Sequence, residues 1–352
     1  MKKFLTKIFY FLGVPSLCWI AAETLLPPTF FTFRHYEALR FDSSAPHIAA
    51  TYPNVNSTMD AVGDLCHHTK HAIVKKEHWI TDRLGYRNNA FVARPDVVFI
   101  GDSYLQGCTL SQDEILANRV AALLPGIRIY NMAPGNFNRF DYLVGAGIIK
   151  KPKAIVFEIA ERNLPEPLAI GQKKTKRGQL REQIAKLLEE TNLAVPISKV
   201  MKAQSVAWLR ARVHGAVGNG IPGTNPDMFF LRGRNNKHNA GDLEATAKTI
   251  ASYQKYCDAR GIKLIFLPMP DKETVYSDMV RFDAQPDYLA RLDGLLKQQN
   301  IRTINTLAIY NTYRRNNNTL LYHYDDTHWN ANAVKLVATQ TAGAIIQTLH
   351  DN

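Results

Sequence analysis

The chain has 352 residues, 46% of them apolar and 21% charged, with a formal net charge of +12. That length and balance provide for a full core in one domain with additions, and disorder is not the default. The four cysteines (Cys18, Cys66, Cys108, Cys257) are far apart and form no CxxC pair, so neither a zinc site nor a disulfide framework follows from them.

The N-terminus opens Met1-Lys2-Lys3, followed by a largely apolar stretch from Ile8 to Leu26 that closes at Pro27-Pro28. Glu23 is its one charge. About 19 apolar residues just suffice to cross a bilayer. Lys2, Lys3 and Lys7 put the leading side in the cytoplasm. The Ala-x-Ala pattern of a cleavable signal is not clean here, so residues 1–28 read as a retained single-pass anchor of the inner membrane, with a cleaved signal as the rival. In either case the body lies outside the cytoplasm, in the periplasm, and nucleic acid is not an expected partner.

Residues 29–90 form a lead segment of loops and short strands. Within it, Trp79 to Asn88 reads as a hairpin with Gly85 near its turn. His67 and His71 would share a helix face, but no carboxylate or second cysteine stands in register. Surface histidines, not a metal site, are expected there.

From residue 91 to 352, strands and helices alternate. Short apolar runs at Val97–Ile100, Ile127–Asn131, Ala154–Ile159, Lys263–Pro268 and Ile301–Ile304 lack strict alternation, as strands covered on both faces do. Ser111-Gln112-Asp113-Glu114 is a capping box ahead of Leu116, Val120, Leu123 and Leu124. Asp242–Arg260 reads as a helix stopped by Gly261, and a last helix starts at Asn330 with Val334, Val337, Ala338 and Ile345 inward. This rhythm predicts an α/β fold, a doubly wound three-layer sandwich around a parallel sheet.

An insertion of about residues 165–240 interrupts it, with a helix over Gln179–Glu190 and a Gly/Pro-rich run at 218–223. Between Gly171 and Ala240 thirteen Lys and Arg face four acids. Such an excess suits anionic lipid or a polyanionic glycan, and equally a solvated basic surface. At the catalytic edge of the sheet, an insertion of this kind carries substrate contacts.

The chemistry centres on Gly101-Asp102-Ser103, with Gly107 following, at the end of Val97-Val98-Phe99-Ile100. A hydroxyl at the C-terminal edge of a parallel sheet stands where ligands collect. Serine needs a base, and the base needs an orienting group. His328 is the base, in a loop just before the last helix. Asp326 and Asp325 compete to orient it: the former points to the same side in extended backbone, the latter serves if the segment turns.

With these residues in place, the chain resembles the SGNH/GDSL hydrolase superfamily from Phe91 onward. The first block is Gly101-Asp102-Ser103, the second matches Asn131-Met132-Ala133-Pro134-Gly135-Asn136, and the last matches the aspartate–His328 pair. The third block, usually Gly-x-Asn-Asp, reads Glu161-Arg162-Asn163-Leu164 and keeps only Asn163. Asp326-Thr327-His328-Trp329, Glu158 to Leu164, Pro268 to Tyr276 and Thr81 to Asn88 are similar to the alginate O-acetyltransferase branch. The resemblance assigns the acid to Asp326, with Asp325 in reserve. It implies an oxyanion hole from the N–H of Ser103, the N–H of Gly135 and the amide of Asn163, each such donor being worth about 3 kcal/mol.

Arg162 either meets substrate or pairs with Glu161, and Trp329 joins the expected substrate contacts. The resemblance further implies an enzyme that moves acetyl groups to polysaccharide hydroxyls without a metal or organic cofactor, beside a multipass membrane acyltransferase that supplies the acetyl group. An esterase with the same triad and a non-catalytic glycan-binding subunit are the alternatives.

Overall fold

The computed structural model describes residues 1–27, 30–41, 49–165, 170, 194–231, 238–281 and 286–350. The helix expected over Gln179–Glu190 lies outside them.

Four parallel strands form the central sheet: β3 (Val97–Ile100), β4 (Ile129–Asn131), β5 (Ala154–Ala160) and β8 (Lys263–Met269), in the spatial order β4-β3-β5-β8. Val97 pairs with Ile129 on one side and Ala154 on the other, and Ala154 pairs with Lys263. Every side chain of β3 and β5 is buried. Helices account for this: Ala331–His350 packs on Leu116–Leu123 and on β5 and β8, while Ala240–Asp258 covers β8 and meets Tyr288–Gln298. Each apolar side chain so enclosed contributes about 1.5–3 kcal/mol relative to exposure. That burial fixes β3, and β3 fixes the residues that follow it.

The helix starts form where the sequence puts them. Ser111 and Glu114 make their reciprocal cap, although a break at Ile115 separates the first short turn, Gln112–Glu114, from Leu116–Leu123. Asn239, three residues ahead of the expected start, caps Ala240–Asp258 in a box with Asp242. Asn330 Oδ1 accepts from the N–H groups of Asn332 and Ala333 at 3.0 and 3.3 Å.

Two elements differ from expectation. Ile301–Ile304 makes a single parallel bridge, Phe266 to Thr303, because Asn305 already caps the next helix, Thr306–Asn316, through the Ala308 N–H. The lead segment does hold an antiparallel ribbon, but it joins β1 (Asn56–Ala61) to β2 (Lys75–Ile80). Residues 81–88 are instead a turn wound around the Asp82 carboxylate, which accepts from the N–H groups of Leu84 and Tyr86 and from Asn88 Nδ2. Gly85 sits there at φ +85°, with the Thr51 carbonyl oxygen 2.1 Å from where a Cβ would be.

This turn positions the serine loop. Arg87, wholly buried against Trp79, donates to the carbonyls of His78, Gln106, Gly107 and Leu110. Asn88 exchanges hydrogen bonds with the backbone of Asn131 at the end of β4.

The described part of the insertion contributes the helices Ala194–Lys202 and Gln204–Val213 and a short ribbon of β6 (Ile221–Pro222) and β7 (Phe229–Phe230). It packs on the lead segment, where Gly218 and Gly220 donate to the carbonyls of His67 and Leu65. His67 and His71 lie in turns, not on one helix face. The first stacks on Phe33 and the second meets Phe229. At the N-terminus a helix over Lys2–Leu25 is long and apolar enough to cross a membrane.

Gly101 shows how tightly β3 and β5 are joined at this edge. A Cβ there would stand 2.4 Å from Glu158 Oε2 and 2.9 Å from both Glu158 Cβ and Leu105 Cδ1. Gly101→Ala is therefore expected to destabilise the protein by about 1–3 kcal/mol, as overpacking does. Urea unfolding measures it, and an unchanged midpoint would refute this account of the strand end.

Candidate active site

The chain leaves β3 at Gly101 and starts a one-turn helix, Ser103–Gln106. Asp102 caps it, accepting the Tyr104 N–H at 3.0 Å. The other Asp102 oxygen accepts from Ala160 N and Asn163 Nδ2 at 3.3 and 3.0 Å. The Asp102 N–H is in turn held by Glu158 Oε2 at 2.9 Å. Burial, reinforced by the nearby Asp102 charge, pushes the Glu158 carboxyl well above the ordinary range. Ser103 itself is half-buried.

The loop before the last helix brings His328 to this serine. Nε2 lies 2.9 Å from Ser103 Oγ, and Nδ1 lies 2.7 Å from Asp326 Oδ1. The same oxygen accepts the His328 N–H at 2.8 Å, so one carboxylate fixes both the backbone and the ring. Burial alone would raise the Asp326 carboxyl, but the adjoining His328 ring and its hydrogen bonds hold it far below the ordinary range. A charged carboxylate on Nδ1 favours the tautomer whose Nε2 can accept the hydroxyl proton. Chemically, the arrangement can activate a serine for attack on an acyl carbon.

Two residues not singled out by sequence hold the loop. Asp64 donates its N–H to Asp326 Oδ2 at 2.8 Å and accepts from the Thr327 N–H and hydroxyl at 2.9 and 2.8 Å. Lys272, fully buried, donates to the carbonyls of His323, Tyr324 and Asp326 at 2.6, 3.0 and 3.2 Å. Burial pushes its ammonium down to about 8. Asp64 lies in an unremarkable stretch, Val62-Gly63-Asp64-Leu65, with no readable signal. Lys272 falls within the Pro268–Tyr276 resemblance, and Glu158 is the lone charge of an otherwise apolar strand. Those two signals were there to read.

The other expected residues are distributed differently. Asp325 turns away from His328: its carboxylate accepts from the N–H groups of Gly63 and Ile73 at 3.0 and 2.9 Å and meets Lys75 Nζ at 2.6 Å. The Gly135 N–H donates to the Gly101 carbonyl at 3.0 Å, so it is occupied by the strand end and not open to a substrate oxygen. Asn163 Nδ2 gives one of its two N–H groups to Asp102. The Ser103 N–H meets no acceptor among the described residues.

Arg162 pairs with Asp271 at 2.9 Å, not with Glu161, and also reaches the Tyr104 hydroxyl at 3.3 Å. Glu161 is enclosed, accepting the Asp271 N–H at 3.0 Å. Trp329 is completely buried, edge-on to Tyr104, and offers no surface to a substrate.

The fold is α/β around a parallel sheet, with a serine after β3 and a histidine loop before the last helix, an SGNH-like arrangement of the kind that hydrolases and acyltransferases in general use. Residues 224–352 match the family described as SGNH hydrolase-like domain, acetyltransferase AlgX. The matched stretch contains Lys272, Asp326 and His328 and stops short of Ser103. No curated protein matches the chain. Four chains of solved structures do; one, a crystal structure, aligns over 72% of this chain and 97% of its own at 11% identity and a TM-score of 0.35.

The buried acids at the end of β5 give the fold a pH signature. Burial, with the charge of Asp271 beside it, pushes Glu161 from 4.5 up to about 8. The folded state then binds this proton more tightly than the unfolded chain, so stability falls as pH rises through that interval. Glu161→Gln keeps an acceptor for the Asp271 N–H and removes the titration. Its urea midpoint is expected to lose less than that of the wild type between about pH 5 and pH 8. Equal losses in the two proteins would show that Glu161 is not held neutral.

Proposed function

We propose that the protein is a membrane-tethered, extracytoplasmic O-acetyltransferase acting on hydroxyls of a cell-surface or secreted polysaccharide. The observation that carries this is the Ser103–His328–Asp326 relay, with distances of 2.9 and 2.7 Å, in a domain whose C-terminal part matches an acetyltransferase family. Ser103 Oγ attacks the carbonyl carbon of an acetyl donor while His328 Nε2 takes its proton. The Ser103 N–H faces the developing oxyanion. Collapse expels the donor's leaving group, protonated by His328, and leaves acetyl-Ser103. A sugar hydroxyl, deprotonated by His328, then attacks the ester, and Ser103 leaves with the proton restored. Asp326 stays ionised and holds the imidazole throughout. A multipass membrane acyltransferase would be the donor's source.

The tether is the Lys2–Leu25 helix. Trp19 and Glu23, near its outer end, contact Ser205 in the body of the protein, which supports a retained anchor over a cleaved signal.

Purified full-length protein, given a chromogenic acetyl ester and an oligosaccharide, is expected to yield acetylated sugar. Release of acetate with no acetylated sugar would move the reading to an esterase. Ser103→Ala and His328→Ala should each lower the rate by about 10³-fold or more, and Asp326→Asn by about 10²–10⁴-fold. Asp325→Asn should lower the unfolding midpoint while the folded fraction keeps its kcat. Undiminished transfer by Ser103→Ala would remove the serine from the mechanism.

A further inference from the structure

The Gln204–Val213 helix begins against the outer end of the N-terminal helix. Ser205 donates its N–H to Glu23 Oε1 at 2.9 Å, and its hydroxyl to the same carboxylate. Trp19 Nε1 reaches Ser205 Oγ at 3.1 Å. Across the same seam, Lys199 Nζ lies 3.5 Å from the carbonyl of Thr24, in the last turn of the N-terminal helix. An acid at one helix start and a base at the other helix end both complement the dipoles. At about 1.5 Å per residue, Trp19 and Glu23 stand some 3–9 Å short of Leu25. The second helix therefore starts at the depth of the last turns of the anchor.

Its two faces differ. Inward, Gln204 Nε2 donates to the Glu37 carbonyl at 3.2 Å and Trp208 meets Phe31 edge-on. Outward, Val206, Leu209 and Val213 share one face at three- and four-residue spacing and are 54, 57 and 74% exposed. Arg210 is exposed at the margin of that stripe. From Ala194 to Val217 the chain holds Lys199, Lys202, Arg210 and Arg212 and no acid. Exposed apolar surface with basic flanks, held at interfacial depth, fits a helix lying in the plane of an anionic membrane.

We infer that the Gln204–Val213 helix is seated in the outer interfacial layer of the bilayer, with Val206, Leu209 and Val213 among acyl chains and Arg210 at anionic headgroups. The inference rests on the retained-anchor reading. Its test uses the full chain with Cys18, the exposed cysteine, replaced by Ser. Single environment-sensitive labels are placed through Leu209→Cys, Leu17→Cys or Asp258→Cys, and the protein is reconstituted in phosphatidylglycerol/phosphatidylethanolamine vesicles containing doxyl lipids.

The label at position 209 is expected to be quenched several-fold more by shallow than by deep doxyl groups, and the label at position 258 not at all. Quenching at position 17 with none at position 209 overturns the interfacial helix while leaving the anchor intact. No quenching at position 17 overturns the anchor and the inference together. In cells, a photocrosslinker at position 209 should give lipid-mass adducts. A protein adduct in their place would show that the face belongs to a protein partner.

Discussion

The backbone course of residues 323–328 is the constraint on which the site depends. An imidazole can bridge a hydroxyl and a carboxylate only if the loop carrying it holds its shape. Here that shape is imposed from two distant segments. The Lys272 ammonium gathers the carbonyl oxygens of His323, Tyr324 and Asp326 from within the core. Asp64, from the lead segment, receives Thr327 and gives its own N–H to Asp326. A buried ammonium without acceptors would be very costly, so the loop carbonyls and Lys272 require one another. Both oxygens of Asp326 are thereby engaged, and its charge is held next to His328.

On the serine side the same logic is applied with acids. Glu158 holds the Asp102 N–H, Asp102 caps the serine turn, and Arg162 ties Asp271 to the Tyr104 hydroxyl. That hydroxyl donates to the Thr327 carbonyl at 3.0 Å, so the serine turn and the histidine loop are joined directly behind the reacting atoms. Gly101 belongs to this arrangement: the absence of a side chain lets Glu158 approach the backbone of Asp102.

The parts of this that were legible in the sequence share a physical origin. Strand β3, the capping box at Ser111, Asn330 and the aspartate–histidine spacing are local, set by burial period, turn chemistry and neighbouring residues. The backbone step alone left Asp326 and Asp325 in competition, and it was the Asp-Thr-His-Trp resemblance that assigned the acid to Asp326. Contacts between residues far apart in sequence were not legible. Asp64 meets Thr327 across more than half the chain, and nothing near Asp64 signals it. Gly135 and Asn163 were assigned by resemblance, yet the Gly135 N–H and one of the two Asn163 amide N–H groups are taken by Gly101 and Asp102, partners that only the assembled strand ends reveal. Arg162 chose Asp271 over adjacent Glu161 for the same reason, since consecutive residues in a tight turn do not face each other.

The lead segment links the site to the N-terminal helix. Glu23 holds Ser205, and neighbouring Gln204 donates to the Glu37 carbonyl. The Glu37 carboxylate takes Arg34 Nε at 3.2 Å, and Arg34 NH1 stands 3.6 Å from Asp64, which grips Asp326 and Thr327. A continuous set of polar contacts thus runs from the outer end of the apolar helix to the acid of the relay. Contiguity of this kind fixes position without implying a signal. Under the anchored reading it sets the height of Ser103 above the bilayer and limits the acyl donors it can meet to those presented at that height. A soluble esterase has no need of such a fixed height. For an enzyme that receives acetyl groups at a membrane, it determines which donor can reach the serine.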